Sequence, residues 1–250
     1  MCIYYGQVRD EFGWPYTGTH PGDVILRIGT NEITRHHVTG SLSPGVNFAL
    51  YVPLDDNRGT RYVAYAAVTG ATFTVVVSDH MGERLIMETN SLPNVGKPGD
   101  IIAINITAGT DSDGDRIPDE WEEAVLYWSS NPFVTTIEEL NPNDDLDGDH
   151  VSNWDEYIAG TLADDPSDFF YAERGLAAAG YVRIEFYSVR GKIYRVFSTP
   201  GLVVPAWQAC AFSTSATGPW QIAPVEGDGH WMTFYIPASE TNLLFRMDVQ

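Results

Sequence analysis

The chain has 250 residues, 12% of them aromatic, with 23 glycines, 15 prolines and a formal net charge of −20. This length accommodates one large core, or two domains of about 100 residues joined by a short module, and we favour the second organisation. The sequence has no cluster of basic residues that could bind phosphate, so nucleic acid is not an expected partner. No run of the sequence reaches the roughly 18 apolar residues of a membrane span.

Residues 1–109 contain short apolar runs separated by turn residues, which predicts a β-sandwich. The runs are CIYYGQV, VILRI, NFALYVP, RYVAYAAV, TFTVVVS, RLIMET and IIAINIT. Turns are predicted at the Asn31-Glu32 pair and at Gly13, Pro15 and Gly18. The stretch YGQVRDEFGWP resembles the opening strand and hairpin of carboxypeptidase-regulatory-like and related immunoglobulin-like modules. The resemblance implies an immunoglobulin-like domain.

Residues 110–168 carry most of the charge: positions 111–168 hold 18 Asp or Glu and a single base, Arg116, a balance of −17. Such a run is usually a solvated segment, but these acids alternate with the spacing of an EF-hand calcium loop. That loop takes oxygen ligands from positions 1, 3, 5, 7, 9 and 12, with a backbone carbonyl at position 7 and a bidentate Glu at position 12.

Two stretches fill every ligand position. In the first loop, residues 111–122, these positions hold Asp111, Asp113, Asp115, the carbonyl of Ile117, Asp119 and Glu122. In the second loop, residues 145–156, they hold Asp145, Asp147, Asp149, the carbonyl of Val151, Asn153 and Glu156. Hard oxygen donors without Cys or His exclude zinc, and six or seven flexible oxygens suit Ca²⁺ better than Mg²⁺. We therefore expect at least two calcium ions and metal-dependent folding of this segment.

Both loops depart from the EF-hand pattern at position 6, where Arg116 and His150 replace the usual glycine, and both carry a glycine at position 4 instead. A side chain in a left-handed conformation costs roughly 1 kcal/mol, which ion binding offsets. Helices are predicted over residues 119–128 and 153–159, beginning inside the loops after Pro118 and Ser152. Their apolar residues predict a small shared core: Trp121, Val125, Leu126, Trp154, Tyr157 and Ile158.

The pair DSDGDRIPDEWEE and DLDGDHVSNWDEYIAGT resembles the thrombospondin type 3-like and dockerin-like calcium repeats of exported bacterial proteins. The resemblance implies a calcium loop followed by an exit helix, without an entry helix. Further oxygen donors leave a third or bridging ion open: Asn141, Asn143, Asp144, Asp164, Asp165 and Asp168.

Residues 169–250 repeat the β pattern, which predicts a second sandwich. The apolar runs are FFYAER, YVRIEFYS, KIYRVFS, AWQACAFS, HWMTFYI and LLFRMDV. This part is similar to the small fibronectin-like (FnIII-like) domain that ends many bacterial exported proteins, and the resemblance implies no chemistry of its own. The predicted fold is therefore mainly β, with two β-sandwich domains joined by a helical module that carries two EF-hand-like loops.

No signature of catalysis is found. The sequence has no G-x-S-x-G, no H-E-x-x-H and no phosphate-cradling loop, and the adjacent His36 and His37 are interpreted as surface residues of a strand. We expect no enzyme activity. Cys2 and Cys210 leave three alternatives open: a bond with each other, a bond between subunits, or two free thiols.

An extracellular structural protein is the first functional hypothesis, in which calcium rigidifies the connector between two β domains at a cell surface, in a matrix or in a fibre. Weak acidic calcium loops fill outside cells, so export is implied although no signal is visible. Self-assembly into a homopolymer, or pairing with another extracellular protein, is suggested by terminal strands at Cys2 and Val249.

A carbohydrate-binding or adhesion module is the alternative, with glycan stacking on exposed aromatic residues. The candidates are Trp14, Trp207, Trp220 and Trp231. A dockerin-like docking role is the third hypothesis, although dockerin repeats usually close together at a chain end and these loops start 34 residues apart in mid-chain.

Overall fold

The computed structural model describes residues 1–55, 65–176, 180–201, 206–237 and 244–250. These residues form a mainly β structure, as predicted, with eighteen strands and two α-helices. The strands are β1 Cys2–Gly6, β2 Val8–Arg9, β3 Gly22–Ile28, β4 Asn31–Val38, β5 Phe48–Val52, β6 Leu54–Asp55, β7 Ala67–Val68, β8 Thr74–Asp79, β9 Gly82–Arg84, β10 Ile101–Ala103, β11 Ile106–Thr107, β12 Glu173–Leu176, β13 Tyr181–Tyr187, β14 Ile193–Thr199, β15 Gln208–Ala209, β16 Val225–Glu226, β17 Trp231–Pro237 and β18 Leu244–Val249. The helices are α1 Asp119–Trp128 and α2 Asn153–Ala159, with 3₁₀ segments at Met87–Ser91 and Ile137–Glu139.

The first part of the chain contains a three-stranded sheet in the order β10-β1-β5 and a four-stranded sheet in the order β4-β3-β8-β9. Side chains alternate along these strands, so that Cys2 and Tyr4 of β1 are buried while Ile3 and Tyr5 are half-buried. One hydrophobic cluster takes residues from both sheets, including Tyr4 and Leu26. The two sheets therefore share a core.

Strand β2 pairs in parallel with β11 beside this core. The buried side chain of Asn47 fixes β2, because its Oδ1 accepts from the Val8 amide at 2.7 Å and its Nδ2 donates to the carbonyls of Val8 and Tyr16, both at 2.9 Å. A buried amide with these partners is fully satisfied and rigid. The Asn47 side chain thereby also fixes the position of Arg9, which follows Val8 in β2 and lies near Asp111 of the acidic segment.

The last part of the chain contains the sheet β12-β13-β17 and a second sheet in which β14 pairs with β15, β16 and β18. Aromatic rings dominate the cluster between them: Phe186 and Tyr194 lie with centroids 4.8 Å apart, and Phe212 and Phe234 at 4.3 Å. Contacts of this kind add to the stability gained from burial alone.

Lys192 lies where the three parts of the chain meet. Its side chain is 1% exposed, and its Nζ donates to the carbonyl oxygen of Tyr157 in α2 at 3.5 Å. Beside it, the Gln7 side chain donates to the carbonyl of Gly191 at 3.2 Å. A Cβ added to Gly13 would lie 3.3 Å from the Lys192 Nζ, so glycine is needed for this close approach.

Several details of the sequence prediction are wrong. The turn between β3 and β4 lies at Gly29 and Thr30, whereas Asn31 and Glu32 already pair with β3, because glycine supplies the required positive φ. Strand β4 is absent from the predicted apolar runs because its exposed face carries Arg35 and His37, although His36 and His37 are correctly predicted to lie on a strand.

The run RLIMET is not a strand, since Met87–Ser91 is a 3₁₀ segment. Half of the run RYVAYAAV, at positions 61–64, lies outside the described residues. Strand β1 pairs with β10 on one side and with β5 on the other, so neither of its edges is open to a strand of another subunit. The expectation that the strand at Cys2 could pair with another subunit is therefore not met. Cys2 and Cys210 form no bond with each other within the chain, which removes the first of the three alternatives.

Candidate metal centre

Both acidic loops lead directly into a helix, and the predicted bounds of the two helices are confirmed. Pro118 precedes α1 with an extended backbone, at φ −70° and ψ 138°. Ser152 precedes α2, and its Oγ accepts a hydrogen bond from the Asp155 amide at 3.1 Å. Proline fixes φ and serine caps exposed amides, which is why the chain starts a helix at these points. Glu122 and Glu156 consequently lie on the first turn of their helices.

The backbones of the two loops have the same conformation. The glycines at position 4, Gly114 and Gly148, have φ angles of 83° and 88°. Arg116 and His150 at position 6 have φ angles of 84° and 79°, and among the described residues they are the two non-glycine residues with positive φ. Strain of this kind persists only where surrounding interactions fix the backbone.

Those interactions are hydrogen bonds from loop amides to the first aspartate. Asp111 Oδ1 accepts from the Gly114 amide at 2.7 Å, and its Oδ2 accepts from the Arg116 amide at 3.1 Å. Asp145 accepts the equivalent bonds from Gly148 at 2.7 Å and from His150 at 2.8 Å. Each loop is therefore wrapped around the carboxylate at its first position.

The seventh positions follow the same pattern. The amide of Ile117 donates to Asp115 Oδ1 at 2.8 Å, and the amide of Val151 donates to Asp149 Oδ1 at 2.7 Å. The Ile117 side chain is fully buried in the core beneath the loop, which anchors the peptide group at this position.

The structure brings together the first three acids of each loop. Carboxylate oxygens of Asp111, Asp113 and Asp115 all lie within 4.8 Å of one another, and so do those of Asp145, Asp147 and Asp149. Three like charges at this separation repel one another strongly unless a cation offsets them. Each cluster could hold a metal ion.

The glutamates at position 12 are the most unusual groups of the site. Glu122 and Glu156 are both 0% exposed, and no carboxylate oxygen of either accepts a hydrogen bond within the described part of the chain. Burial, reinforced by the neighbouring aspartates, raises the pKa of each to about 8. A buried carboxylate without a donor is costly, so both positions favour a cation as partner.

The ninth positions brace the loops instead. Asp119 Oδ1 accepts from the Ser112 amide at 2.7 Å, and its Oδ2 accepts from the Ser112 and Thr110 hydroxyls at 2.6 and 2.9 Å. Burial alone would raise the pKa of Asp119, but these bonds lower it below its ordinary value. Asn153 is buried and accepts from the Leu146 amide at 3.2 Å. No pattern in the sequence indicates these roles of Ser112 and Thr110.

The two loop-helix units pack against each other through a core of their own. Trp121 of α1 meets Tyr157 of α2 edge to face, with centroids 5.6 Å apart, and Trp154 lies 5.9 Å from Tyr157. Val125 and Ile158 join the same cluster, while Leu126 is half-buried outside it. The shared core is thus confirmed for five of its six predicted residues.

The additional acids Asp144, Asp164, Asp165 and Asp168 belong to neither of the acidic clusters found in the described ranges. Asp165 accepts from the Ser167 amide and hydroxyl, Asn141 from the Asn143 amide, and Asp168 from the Leu162 amide at 3.1 Å, so all three cap local turns. A third or bridging ion stays a prediction.

The exposed tryptophans lie in separate aromatic contacts. Trp220 stacks on Tyr181 with centroids 5.3 Å apart, Trp231 lies edge-on to Tyr187, and Arg246 lies 5.1 Å above Trp207. Trp14, 41% exposed, packs near Gly160. No ring contact joins these four tryptophans to one another among the described residues.

Histidines that are far apart in sequence are closer in space. His20 stacks on Tyr16, and its ring centroid lies 6.1 Å from that of His80. His36 and His37 lie on β4, as predicted, and His37 contacts Asp23 at 2.6 Å. These rings form no group of metal-ligand spacing within the described residues.

In the described ranges, no helix combines the length and the apolar character that crossing a bilayer requires. Comparison with protein-family models, with curated proteins and with solved structures finds no match to this chain.

Proposed function

We propose that this chain is an extracellular calcium-binding structural protein, in which ions in two loops rigidify the connector between two β-sandwich domains. In this proposal the domains span residues 1–109 and 169–250, and the connector spans residues 110–168. The single observation that carries it is the pair of fully buried glutamates, Glu122 and Glu156, each without a hydrogen-bond donor in the described residues and each facing three aspartates.

Calcium is the ion that the donor set favours. Each loop offers oxygen atoms alone, from three clustered aspartates, a backbone carbonyl and a glutamate that can bind in bidentate fashion. Mg²⁺ demands a smaller, strictly octahedral set, and Zn²⁺ prefers nitrogen and sulfur. On binding, the Glu122 carboxylate would close onto Asp111, Asp113 and Asp115. This closure would link the start of α1 to the loop.

A structural role follows from where the loops lie. The second loop leads into α2, and the carbonyl of Tyr157 in α2 accepts from Lys192, next to the contact between Gln7 and Gly191. An ion that fixes α2 would therefore fix the point at which the three parts meet. Loops that bind calcium at high micromolar to millimolar concentration fill outside cells, which supports an extracellular site of action.

Isothermal titration calorimetry with CaCl₂ and MgCl₂ tests the ion, and small-angle scattering with calcium and then a chelator tests the connector. We expect two calcium ions per chain, one lost in Asp111→Ala and the other in Asp145→Ala. Glu138→Gln, an exposed acid of the same segment, is the charge-matched control and keeps both ions. Scattering curves that do not change on chelation would refute the connector role, and absence of calcium heats would refute the whole proposal.

Self-assembly is a second candidate through one specific strand. Strand β18 pairs with β14 on one side and has no other strand partner among the described residues, so its outer edge could add a strand from another chain. Light scattering in calcium checks this. A monodisperse monomer at all concentrations would exclude it.

A further inference from the structure

A cleft of about 500 Å³ separates the first loop and α2 from the edge of the first β part. Its walls come from strands β2 and β11, from the Met87–Ser91 segment, from the first loop and from α2. Pockets of this volume hold one small organic ligand. The polar groups on its walls are of several kinds and come from segments that are distant in sequence.

Two arginines line this cleft, Arg9 and Arg116. Arg9 is half-buried; its Nε donates to Gln7 Oε1 at 2.9 Å, and no bond from its terminal nitrogens is found within the described residues. Arg116 has no hydrogen bond or ion pair from its side chain in the same ranges. Arg9 shares the cleft with the Glu88 carboxylate, which attracts its guanidinium, whereas Arg116 is exposed to solvent. A planar guanidinium matches a carboxylate with two parallel hydrogen bonds.

The other walls suit a sugar ring. Trp154, which is half-buried, provides aromatic surface, while the exposed residues Ser91 and Asn105 provide a hydroxyl and an amide group. Glu88 adds an acceptor: its Oε2 already accepts from the Thr107 amide at 2.9 Å, and burial raises the pKa of this carboxyl above its ordinary value. Ligand pockets commonly combine an aromatic face with a few polar groups, whose contacts fix the orientation of the ligand.

We propose that this cleft binds an acidic sugar, a hexuronate, with its carboxylate between Arg9 and Arg116 and its ring against Trp154. Asp111, the first residue of the first loop, also lines the cleft. The inference rests on the proposed calcium binding, because without a cation the aspartates of that loop would repel the carboxylate. Binding of the sugar therefore requires calcium in the first loop.

In this proposal Arg116, at position 6 of the first loop, contacts the ligand. Arg116 is held in a left-handed conformation that disfavours a side chain, and this exposed residue lines the cleft. His150 has the same conformation in the second loop, but its side chain is 96% exposed. The two loops thus share their metal geometry and differ in what position 6 can contact.

Titration of the ¹⁵N-labelled full chain with methyl glucuronoside, in saturating calcium, tests the proposal. We expect millimolar binding with shifts of the Trp154 indole resonance, and at least tenfold weaker binding of methyl glucoside, which lacks the carboxylate. Arg116→Gln should weaken glucuronoside binding at least fivefold, whereas Arg190→Gln, an exposed arginine away from the cleft, should leave it unchanged.

Two further arms separate the outcomes. N-acetylalanine, a carboxylate without a sugar ring, should bind at least tenfold more weakly than the glucuronoside, and equal binding would overturn the sugar assignment. Calorimetry with calcium alone reports on the proposed function. If calcium binds and glucuronoside causes no shifts, the cleft proposal is overturned and the calcium proposal stands. If calcium does not bind, both fail together.

Discussion

Arg116 and His150 share one left-handed backbone conformation, at φ 84° and 79°, at equivalent places in two loops that start 34 residues apart. In each, the strained residue donates its amide to the first aspartate of its own loop, at 3.1 and 2.8 Å. The carboxylate thus fixes a conformation that the side chain opposes. Any cation that binds this carboxylate acts on the same strained turn.

Relief of this strain should strengthen calcium binding in the second loop. The His150 side chain is 96% exposed and approaches Asp145 no closer than 4.0 Å, so its removal breaks no short contact. We expect His150→Gly to raise calcium affinity about fivefold, since a side chain in this conformation costs about 1 kcal/mol. His150→Ala, which keeps the Cβ and the strain, is the control. Equal calorimetric affinities for the two variants would contradict the argument.

Neutralising Glu122 should have opposite effects with and without calcium. In a chelator, Glu122→Gln removes a buried charge that has no hydrogen-bond donor in the described residues and should stabilise the fold. In calcium, the same change removes a charged ligand and should weaken binding by about 3 kcal/mol, roughly two orders of magnitude. Thermal unfolding in both conditions measures this reversal.

Glu123→Gln is the matched control for that experiment, because Glu123 is exposed on the same helix. It should change neither unfolding curve appreciably, since an exposed charge is well solvated. If Glu122→Gln destabilised the protein equally with and without calcium, the role of this carboxylate as a ligand would be excluded.

The acidic loops could be predicted from the sequence because their information is local. Acids spaced two residues apart predict each loop. A proline or serine, followed by a glutamate on the first turn, predicts each helix. Ligand positions are counted along the chain, and the turn that brings Asp111 and Asp115 together spans five residues.

The rest depends on contacts between distant residues, which no local pattern encodes. Lys192 reads as an ordinary strand residue, yet it is buried against Tyr157, 35 positions earlier. Arg9 and Arg116 lie more than a hundred positions apart and line one cleft. Strand β4 has no apolar run in the sequence, because an edge strand with one solvated face can carry Arg35 and His37 where a central strand cannot. Burial therefore has to be known before such residues can be interpreted.

Coupling between the two loops should pass through Trp121 and Tyr157, whose rings meet at 5.6 Å across the two helices. We expect Tyr157→Ala to destabilise the protein by about 3–5 kcal/mol and to weaken calcium binding in the first loop as well as in the second. Calorimetry on Tyr157→Ala combined with Asp145→Ala isolates the first loop. Tyr127→Ala, at a 78% exposed position on α1, should leave both ions unaffected. An unchanged first-loop affinity in Tyr157→Ala would show that the loops bind independently.

The buried Lys192 should make stability depend on pH. Burial, with a smaller contribution from Arg9, lowers the pKa of its ammonium to about 7, whereas the unfolded chain titrates near 10.4. Between these values the unfolded state binds the extra proton, so stability should rise with pH, by up to about 1.4 kcal/mol per unit. Chemical denaturation from pH 7.5 to 9 in saturating calcium measures this slope.

Lys192→Met should flatten this slope and stabilise the protein at pH 7.5, while Lys97→Met, at an exposed position, should keep the slope of the parent chain. Parallel profiles for Lys192→Met and the parent would show that this lysine stays charged in the folded protein.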